Sequence, residues 1–353
     1  MNAPRVTVLM CVHNAARWLP LTMRSVLDQT FTDFEFLILD DASSDESVGI
    51  IQSFADPRNR LIRSEENVGL TRLLNRGLHS ARGELVARQD ADDLSAPTRL
   101  AEQVAFLDAH PEVPLVGTEA RLIDAAGRSR GSRELPREAA SIRWMSLLDN
   151  PIIHTSAMFR AAVVHDEFRG YDESFSSCQD YDLWARVMEK YPVANLPRRL
   201  VSVREHGASV SATRRSEARE LIPGVVRRIV ENCMPGLQLT DEEVALLCAY
   251  RRHLAAEEVA RFHTLLARLD AAFARHFAGA LTSDDLRRTR AHVFARIGYN
   301  LLTADRRLAW GELQRALKTW PALGLRLPWL RIAVLSALGA HARRWMDRMQ
   351  AAA

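Results

Sequence analysis

The stretch Glu84-Leu-Val-Ala-Arg-Gln-Asp-Ala-Asp-Asp93 joins an apolar run to a cluster of acids. Residues 85–87 are consecutive and apolar, a pattern typical of a strand that is buried on both faces. Three aspartates, Asp90, Asp92 and Asp93, follow within four residues. Oxygen ligands on a short loop suit Mg²⁺ or Mn²⁺, although a solvated acidic turn would have the same sequence. The spacing excludes an EF-hand, since the sixth position from Asp90 is not glycine.

The composition is that of a folded soluble protein with two parts. Of 353 residues, 47% are hydrophobic and 26% are charged, which is ordinary for a globular chain. The length suffices for two domains. Residues 1–214 hold 25 basic and 30 acidic residues, a net charge of −5, whereas residues 215–353 hold 22 and 14, a net charge of +8. This division suggests that the two regions have different roles.

Several classes of protein lose support from simple sequence features. The four cysteines have neither metal-ligand spacing nor a paired framework, so we expect reduced thiols. We find no signal peptide and no run of 18 apolar residues, and we therefore expect a cytoplasmic protein without a membrane span. Neither a dinucleotide-binding fingerprint nor a P-loop motif occurs.

Strands and amphipathic helices alternate through the first part of the chain. Apolar runs predict strands over 5–12, 34–39, 60–63 and 85–87. The residues between them have helical apolar spacing, with Asn14 as a predicted N-cap and Gly83 as a predicted C′ residue. This alternation predicts an α/β fold with a mostly parallel sheet and helices on both faces.

In such a sheet, ligands bind beyond the carboxyl ends of the strands. That rule predicts one crevice lined by three segments that are far apart in sequence. They are residues 11–14, the pair Asp40 and Asp41, and residues 90–93.

A series of motifs in order resembles glycosyltransferase family 2. The motifs are His13-Asn14, Ser25–Phe31, Asp40–Ser43, Asn67–Leu70, Arg88–Asp93, His154–Met158, Gly170–Asp172, Gln179–Trp184 and Val203–His206. The resemblance covers roughly residues 4–212, and several ordered motifs together are far more specific than any one alone.

The resemblance implies a nucleotide-sugar-dependent enzyme with a GT-A fold. We expect a Rossmann-like catalytic domain over residues 1–214, with a nucleotide-sugar half over about 1–112 and an acceptor half over about 113–214. A basic helical region over 215–353 would follow it.

The same resemblance implies roles for individual residues. Asp41 would bind the nucleotide base, Asp90 would lie near the ribose, and Asp92 would bind the metal. Asp180 would be the catalytic base. The expected nucleotide-sugar contacts are Cys11, His13, Asn14, Asp40, Asp41, Asn67, Arg72, Arg88 and Asp90; the expected metal ligands are Asp92 and His206; the expected acceptor-side residues are His154, Gln179 and Trp184. Gln179 departs from the family, which often has Glu there.

The chemistry of sugar transfer accounts for these residue types. A divalent cation can neutralise the departing diphosphate, and a carboxylate can take the proton of an acceptor hydroxyl. A single base opposite the leaving group implies inversion at the anomeric carbon. Structural alternatives remain, because Asp180 begins a helix and could be an N-cap or could stabilise the helix dipole. A non-catalytic sugar-nucleotide-binding scaffold and a nucleotidyltransferase are the competing functions.

Beyond residue 214 the sequence indicates structure but no recognisable motif. Apolar residues at helical spacing predict helices over 222–230, 244–254, 259–277, 286–302 and 308–320. The apolar stretch 323–338, with flanking Trp and Arg, suits an anionic membrane face, or else packing against its own domain or a second copy. The expected partners are a nucleotide sugar, a glycan or lipid-linked acceptor and the inner membrane face. The sequence is also compatible with a homo-oligomer. The absence of a binding motif disfavours nucleic acid as a partner.

Overall fold

The computed structural model describes residues 3–207, 209 and 213–325. Its nine strands within that part of the chain form one mixed sheet, in the order β3-β2-β1-β4-β8-β6-β9-β5, with β7 paired to β6. The strands are β1 Val6–Val12, β2 Phe34–Asp40, β3 Asn59–Arg63, β4 Leu85–Asp90, β5 Leu94–Ser95, β6 Leu115–Asp124, β7 Ser129–Arg133, β8 Met158–Arg160 and β9 Ala194–Glu205.

The sheet is parallel over β3-β2-β1-β4, as the sequence predicts. The remaining part is mixed, because β6 and β9 are parallel whereas β5, β7 and β8 pair in antiparallel fashion. Six α-helices occur among the described residues up to 190. They are α1 Leu19–Leu27, α2 Ser47–Ser53, α3 Leu70–Ser80, α4 Arg99–Ala109, α5 Ala139–Met145 and α6 Gln179–Lys190.

Helices cover both faces of the parallel strands. Alternate residues of β1 point to opposite faces of the sheet, so Leu9 and Met10 lie in different hydrophobic clusters. The Leu9 cluster includes Leu73 and Leu74 of α3. The Met10 cluster includes side chains of α1 and α4. Burial on both faces explains why these strands are continuous apolar runs.

Two predicted helix boundaries are wrong. Asn14 does not cap α1, which begins at Leu19 with Trp18 as its N-cap residue. Asn14 has a φ of 50° and accepts hydrogen bonds from the backbone amides of residues 44 and 45. Gly83 is not the C′ residue of α3, which ends at Ser80. A Cβ at Gly83 would lie 2.4 Å from the backbone nitrogen of Thr7, so glycine there permits close approach of two backbone segments.

The described chain divides into two compact units. The first contains the residues up to 142 together with 150–225, and the second contains 143–149 and the chain from 226 onward. The division between these units falls after Val225, and the expected domain boundary at 214 stays a prediction. The helices that follow the sheet are α7 Arg215–Cys233, α8 Asp241–Cys248, α9 Ala256–His276, α10 Asp284–Leu301 and α11 Arg306–Thr319.

The helices after the sheet agree closely with the helical periodicity in the sequence. In the second unit, Trp144 is fully buried and its indole N–H donates to Asp270 over 2.9 Å. Asp270 also pairs with Arg290. Among the helices of the described residues, none combines the length and apolar character that crossing a bilayer requires. Most of the apolar stretch 323–338 lies outside the described residues.

Candidate active site

The strand register brings the acidic segments to one edge of the sheet. In the parallel pairs, Val12 lies opposite Asp40 and Cys11 lies opposite Asp90. These strands point the same way, so the loops that follow them share the edge where α/β proteins bind ligands. The structure thus brings together residues 11–14, 40–41 and 90–93, as the sequence predicts.

Hydrogen bonds join the three loops that carry His13, Asp41 and Asn67 at this edge. His13 Nδ1 lies 2.7 Å from the carbonyl oxygen of Asp41. The carboxylate of Asp41 accepts from the backbone amides of Val68 and Gly69, at 2.8 and 3.0 Å. Gly69 has a φ of 86°, a conformation that favours glycine. Asp41 therefore organises the loop that carries Asn67, and each of its oxygens can still accept a second hydrogen bond from a ligand.

Asp90 is held by groups from inside the protein. Arg88 is fully buried, and its Nη2 donates to Asp90 Oδ1 over 2.6 Å. The backbone amide of Asp90 donates to Thr155 Oγ1 over 3.0 Å. Burial raises the pKa of the Asp90 carboxyl, and the Arg88 guanidinium opposes that rise. Arg88 thus orients Asp90. Its side chain has no exposed surface, and its expected contact with a nucleotide sugar stays a prediction.

Asp92 lies beside His206, which comes from the end of the long strand β9. The distance between Asp92 Oδ2 and His206 Nε2 is 2.8 Å. The imidazole stacks on Trp18 with the ring centroids 4.1 Å apart, and its buried Nδ1 has no hydrogen-bond partner among the described residues. The Asp92 side chain is 25% exposed, against 9% for His206. One carboxylate oxygen and one imidazole nitrogen are thereby held together at the rim of the crevice.

Asp93 has a different environment from its two neighbours. Its carboxylate accepts from the backbone amide of Arg204 over 2.8 Å, and the side chain is buried. The Arg204 guanidinium donates to the carbonyl of Asp92 over 2.9 Å. Asp93 and Arg204 therefore fix the acidic loop to β9, which places His206 next to Asp92.

Asp180, the predicted catalytic base, lies in the first turn of α6. Its Oδ2 accepts a hydrogen bond from Asn150 Nδ2 over 2.7 Å. Burial raises the pKa of Asp180 to about 6, and the negative charge of Asp90 acts in the same direction. A carboxyl group with a pKa close to neutrality is suited to accept a proton.

The other expected residues fall into two groups. His13, Asn14, Asn67 and Arg72 are exposed, whereas Cys11 is buried and its pKa is raised to about 12 by that burial. His154 Nε2 lies 3.0 Å from the Tyr171 hydroxyl, and burial lowers the pKa of His154 well below its usual range. Gln179 is buried at the start of α6, and Trp184 is fully buried in the core. The expected acceptor-side roles of these residues stay predictions.

Comparison with known proteins identifies the family. Residues 7–171 match the family model described as Glycosyl transferase family 2. EpsE of Bacillus subtilis is named provisionally as a glycosyltransferase. It is 35% identical to this chain over 210 residues, which are 58% of this chain and 74% of EpsE. The chain belongs to glycosyltransferase family 2.

Two further similarities place this glycosyltransferase among its relatives. The O-antigen biosynthesis glycosyltransferase WbnJ of Escherichia coli is 29% identical over 209 residues, which are 58% of this chain and 81% of WbnJ. The structure of the mannosyltransferase PcManGT of Pyrobaculum calidifontis, solved with GDP-Man and Mn²⁺, matches this chain with a TM-score of 0.51 at 21% sequence identity. The match covers 95% of this chain and 84% of the PcManGT chain. The second likeness is one of fold, and it agrees with the expected GT-A architecture.

Several residues that shape the site of this glycosyltransferase were not among the site residues predicted from its sequence. They are Trp18, Asn150, Thr155 and Arg204. Asn150 precedes a proline, so its sequence signal is that of a turn. The partner of Asn150 lies 30 residues away, and no local pattern indicates that pairing. Trp18 has apolar neighbours at helical spacing and therefore resembles a core residue.

Proposed function

We propose that this glycosyltransferase moves a sugar from a nucleoside-diphosphate sugar to an acceptor hydroxyl, with inversion at the anomeric carbon. The observation that carries the proposal is Asp180, a half-buried carboxyl in the first turn of α6 that accepts a hydrogen bond from Asn150 and whose pKa is raised by burial to about 6. A base in this environment is largely ionised at neutral pH and remains basic enough to take a proton.

The proposed reaction needs one base and no covalent enzyme intermediate. Asp180 accepts the proton of the acceptor hydroxyl while that oxygen forms a bond to the anomeric carbon. The bond between the anomeric carbon and the diphosphate oxygen breaks, and its electron pair leaves with the nucleoside diphosphate. Attack from the side opposite the leaving group inverts the configuration. On the nucleotide side, Asp41, Asn67 and Asp90 are the proposed contacts to base and ribose.

Asp92 and His206 fit a divalent cation. Their facing atoms are an oxygen and a nitrogen 2.8 Å apart, and the partly exposed carboxylate borders the crevice. No group of three His, Cys, Asp or Glu side chains suited to a metal occurs among the described residues, so diphosphate oxygens and water would complete the ligand set. When bound, Mg²⁺ or Mn²⁺ would neutralise charge on the departing diphosphate. The fold relative solved with Mn²⁺ supports this proposal.

The biological setting is proposed from relatives and from charge. WbnJ, whose name places it in O-antigen biosynthesis, supports a role in assembling a surface polysaccharide or lipopolysaccharide. Acceptors of this kind are commonly lipid-linked. The net charge of +8 over residues 215–353 supports work at the inner membrane face.

The proposal is tested with a panel of nucleotide sugars, Mn²⁺ and candidate acceptors. We expect release of a nucleoside diphosphate with one donor, and an anomeric configuration in the product opposite to that of the donor. Asp180→Asn should keep donor affinity, measured by calorimetry, and lower kcat by at least about a hundredfold, since general base catalysis typically contributes that much. Donor binding without transfer by the wild type would favour a scaffold, and pyrophosphate release from a nucleoside triphosphate would favour a nucleotidyltransferase.

A further inference from the structure

Asn150 lies where one short segment contacts both sides of the crevice. Its side chain donates to Asp180, and five residues later Thr155 Oγ1 accepts from the backbone amide of Asp90. The residues between are anchored in the protein, because Ile152 and Ile153 are buried. The segment 150–155 thereby sets the position of Asp180 relative to Asp90.

The orientation of the Asn150 amide is fixed by its own surroundings. Its Oδ1 accepts from the backbone amide of Ile152 over 3.2 Å. That amide can only donate, so it must face the oxygen of Asn150, and the Nδ2 group is left to face Asp180. The backbone carbonyl of Asn150 also accepts from Arg133 over 3.1 Å. Asn150 is held from both sides and presents a donor to Oδ2 of the carboxylate.

Among the described residues, no side chain other than Asn150 donates a hydrogen bond to Asp180. The backbone amides of Asp180 and Tyr181 at the start of α6 favour the ionised carboxylate, whereas burial and the charge of Asp90 oppose it. Tyr171 is near enough for its charge to interact with that of Asp180, and its hydroxyl lies 3.0 Å from His154 Nε2. Within the described part of the chain, the groups that act on Asp180 are therefore two backbone amides, Asn150, Asp90 and Tyr171.

We infer that Asn150 is a positioning residue for the catalytic base: its amide holds one carboxylate oxygen of Asp180 in the ionised form and leaves the other oxygen directed at the acceptor hydroxyl. This inference rests on the proposed function. A hydrogen bond to the charged form of an acid stabilises that form. Loss of the Asn150 donor therefore makes Asp180 easier to protonate and lets its side chain rotate.

The test compares pH–rate profiles of kcat/KM for the wild type, Asn150→Ala and Asn150→Asp. Asp180 must be ionised to accept a proton, so wild-type activity should fall as the pH decreases through about 6. In Asn150→Ala the acidic limb should move upward by about one pH unit, because a stabilising hydrogen bond is lost. In Asn150→Asp it should move further, since two carboxyl groups would then compete for ionisation. Donor affinity should stay within about twofold in both variants, because the Asn150 side chain is bonded to Asp180 and to the backbone amide of Ile152, and neither is a proposed nucleotide contact.

Asn59→Ala is the matched control. Asn59 Nδ2 donates to the carbonyl of Phe54 over 2.9 Å, so this variant also loses one amide hydrogen bond in the first unit. It should lower stability to a similar extent and leave the acidic limb in place. If Asn150→Ala folds poorly, Asn150→Asp provides the same readout with nearly unchanged side-chain volume.

The possible failures are distinguishable. An unmoved acidic limb in folded Asn150→Ala and Asn150→Asp, together with loss of transfer in Asp180→Asn, would overturn the role of Asn150 and leave the proposed function intact. Full activity of Asp180→Asn would instead remove the proposed base. A limb that moves equally in Asn59→Ala would show that the effect reports general destabilisation, and it would also overturn the inference.

Discussion

Asp92 is the residue through which a divalent cation would affect donor binding. Asp92→Ala should weaken the affinity for a nucleoside diphosphate by at least about tenfold in Mn²⁺, because it removes a ligand of the ion. In EDTA the same substitution should change affinity little. Titration calorimetry with nucleoside diphosphate in both buffers measures the difference. Asp33→Ala, which removes an exposed carboxylate of the same unit, is the control, and equal weakening of Asp92→Ala in both buffers would indicate a direct contact instead.

At the scale of single residues, the sequence shows which side chains lie near the site better than it shows what each of them does. The acids at the strand ends were predictable, because their positions follow from the apolar runs before them. Arg88 and Trp184 lie in the same motifs, but only the folded structure reveals that their side chains are buried. Asn150 was not predictable, since its function arises from a contact with Asp180 that depends on the loop after residue 149.

At the scale of elements, two glycines should respond to the same substitution with opposite signs. Gly83→Ala would place a Cβ within 2.4 Å of Thr7 N and 2.6 Å of the carbonyl carbon of Val6. Because backbone atoms cannot move as easily as a side chain, we expect a loss of about 2 kcal/mol in the free energy of unfolding. Gly49→Ala in α2 meets no atom within 4 Å and should gain about 0.5 kcal/mol. Urea unfolding measures both values, and a loss in Gly49→Ala as large as in Gly83→Ala would contradict the close-approach explanation.

The strands and helices that were predicted from the sequence are those with a clear pattern of apolar residues. β1, β2 and β4 are buried on both faces and therefore appear as apolar runs, and α3 carries a clear apolar stripe. The five later strands, β5 to β9, were not predicted. β5 and β8 contain two and three residues, too few to show a period. β7 is exposed along nearly its whole length and has the sequence Ser-Arg-Gly-Ser-Arg, which lacks the alternation of a half-buried strand.

At the scale of the whole molecule, charge separates the region that carries the site from the region that follows it. Residues 1–214 have a net charge of −5 and residues 215–353 a net charge of +8. Within the described part of the basic region, α11 exposes Arg306, Arg307, Lys318 and Trp310. Basic residues with an exposed Trp suit the headgroups of an anionic membrane surface. Along the sequence, α11 comes shortly before the apolar stretch 323–338, for which the sequence predicts membrane contact.

The triple substitution Arg306, Arg307 and Lys318 to Gln should weaken binding to anionic vesicles. Each basic residue near such a surface contributes about 1 kcal/mol, so the partition coefficient should fall by about a hundredfold. Co-sedimentation of the full chain with phosphatidylglycerol vesicles measures this, with phosphatidylcholine vesicles as the uncharged reference. Replacing the exposed Arg24, Arg121 and Arg130 of the first unit by Gln changes the total charge equally and should have little effect. Equal losses of vesicle binding in the two variants would mean that total charge, and not this helix, governs attachment. Transfer of sugar to a soluble acceptor should persist in the α11 variant, because the proposed catalytic residues all belong to the first unit.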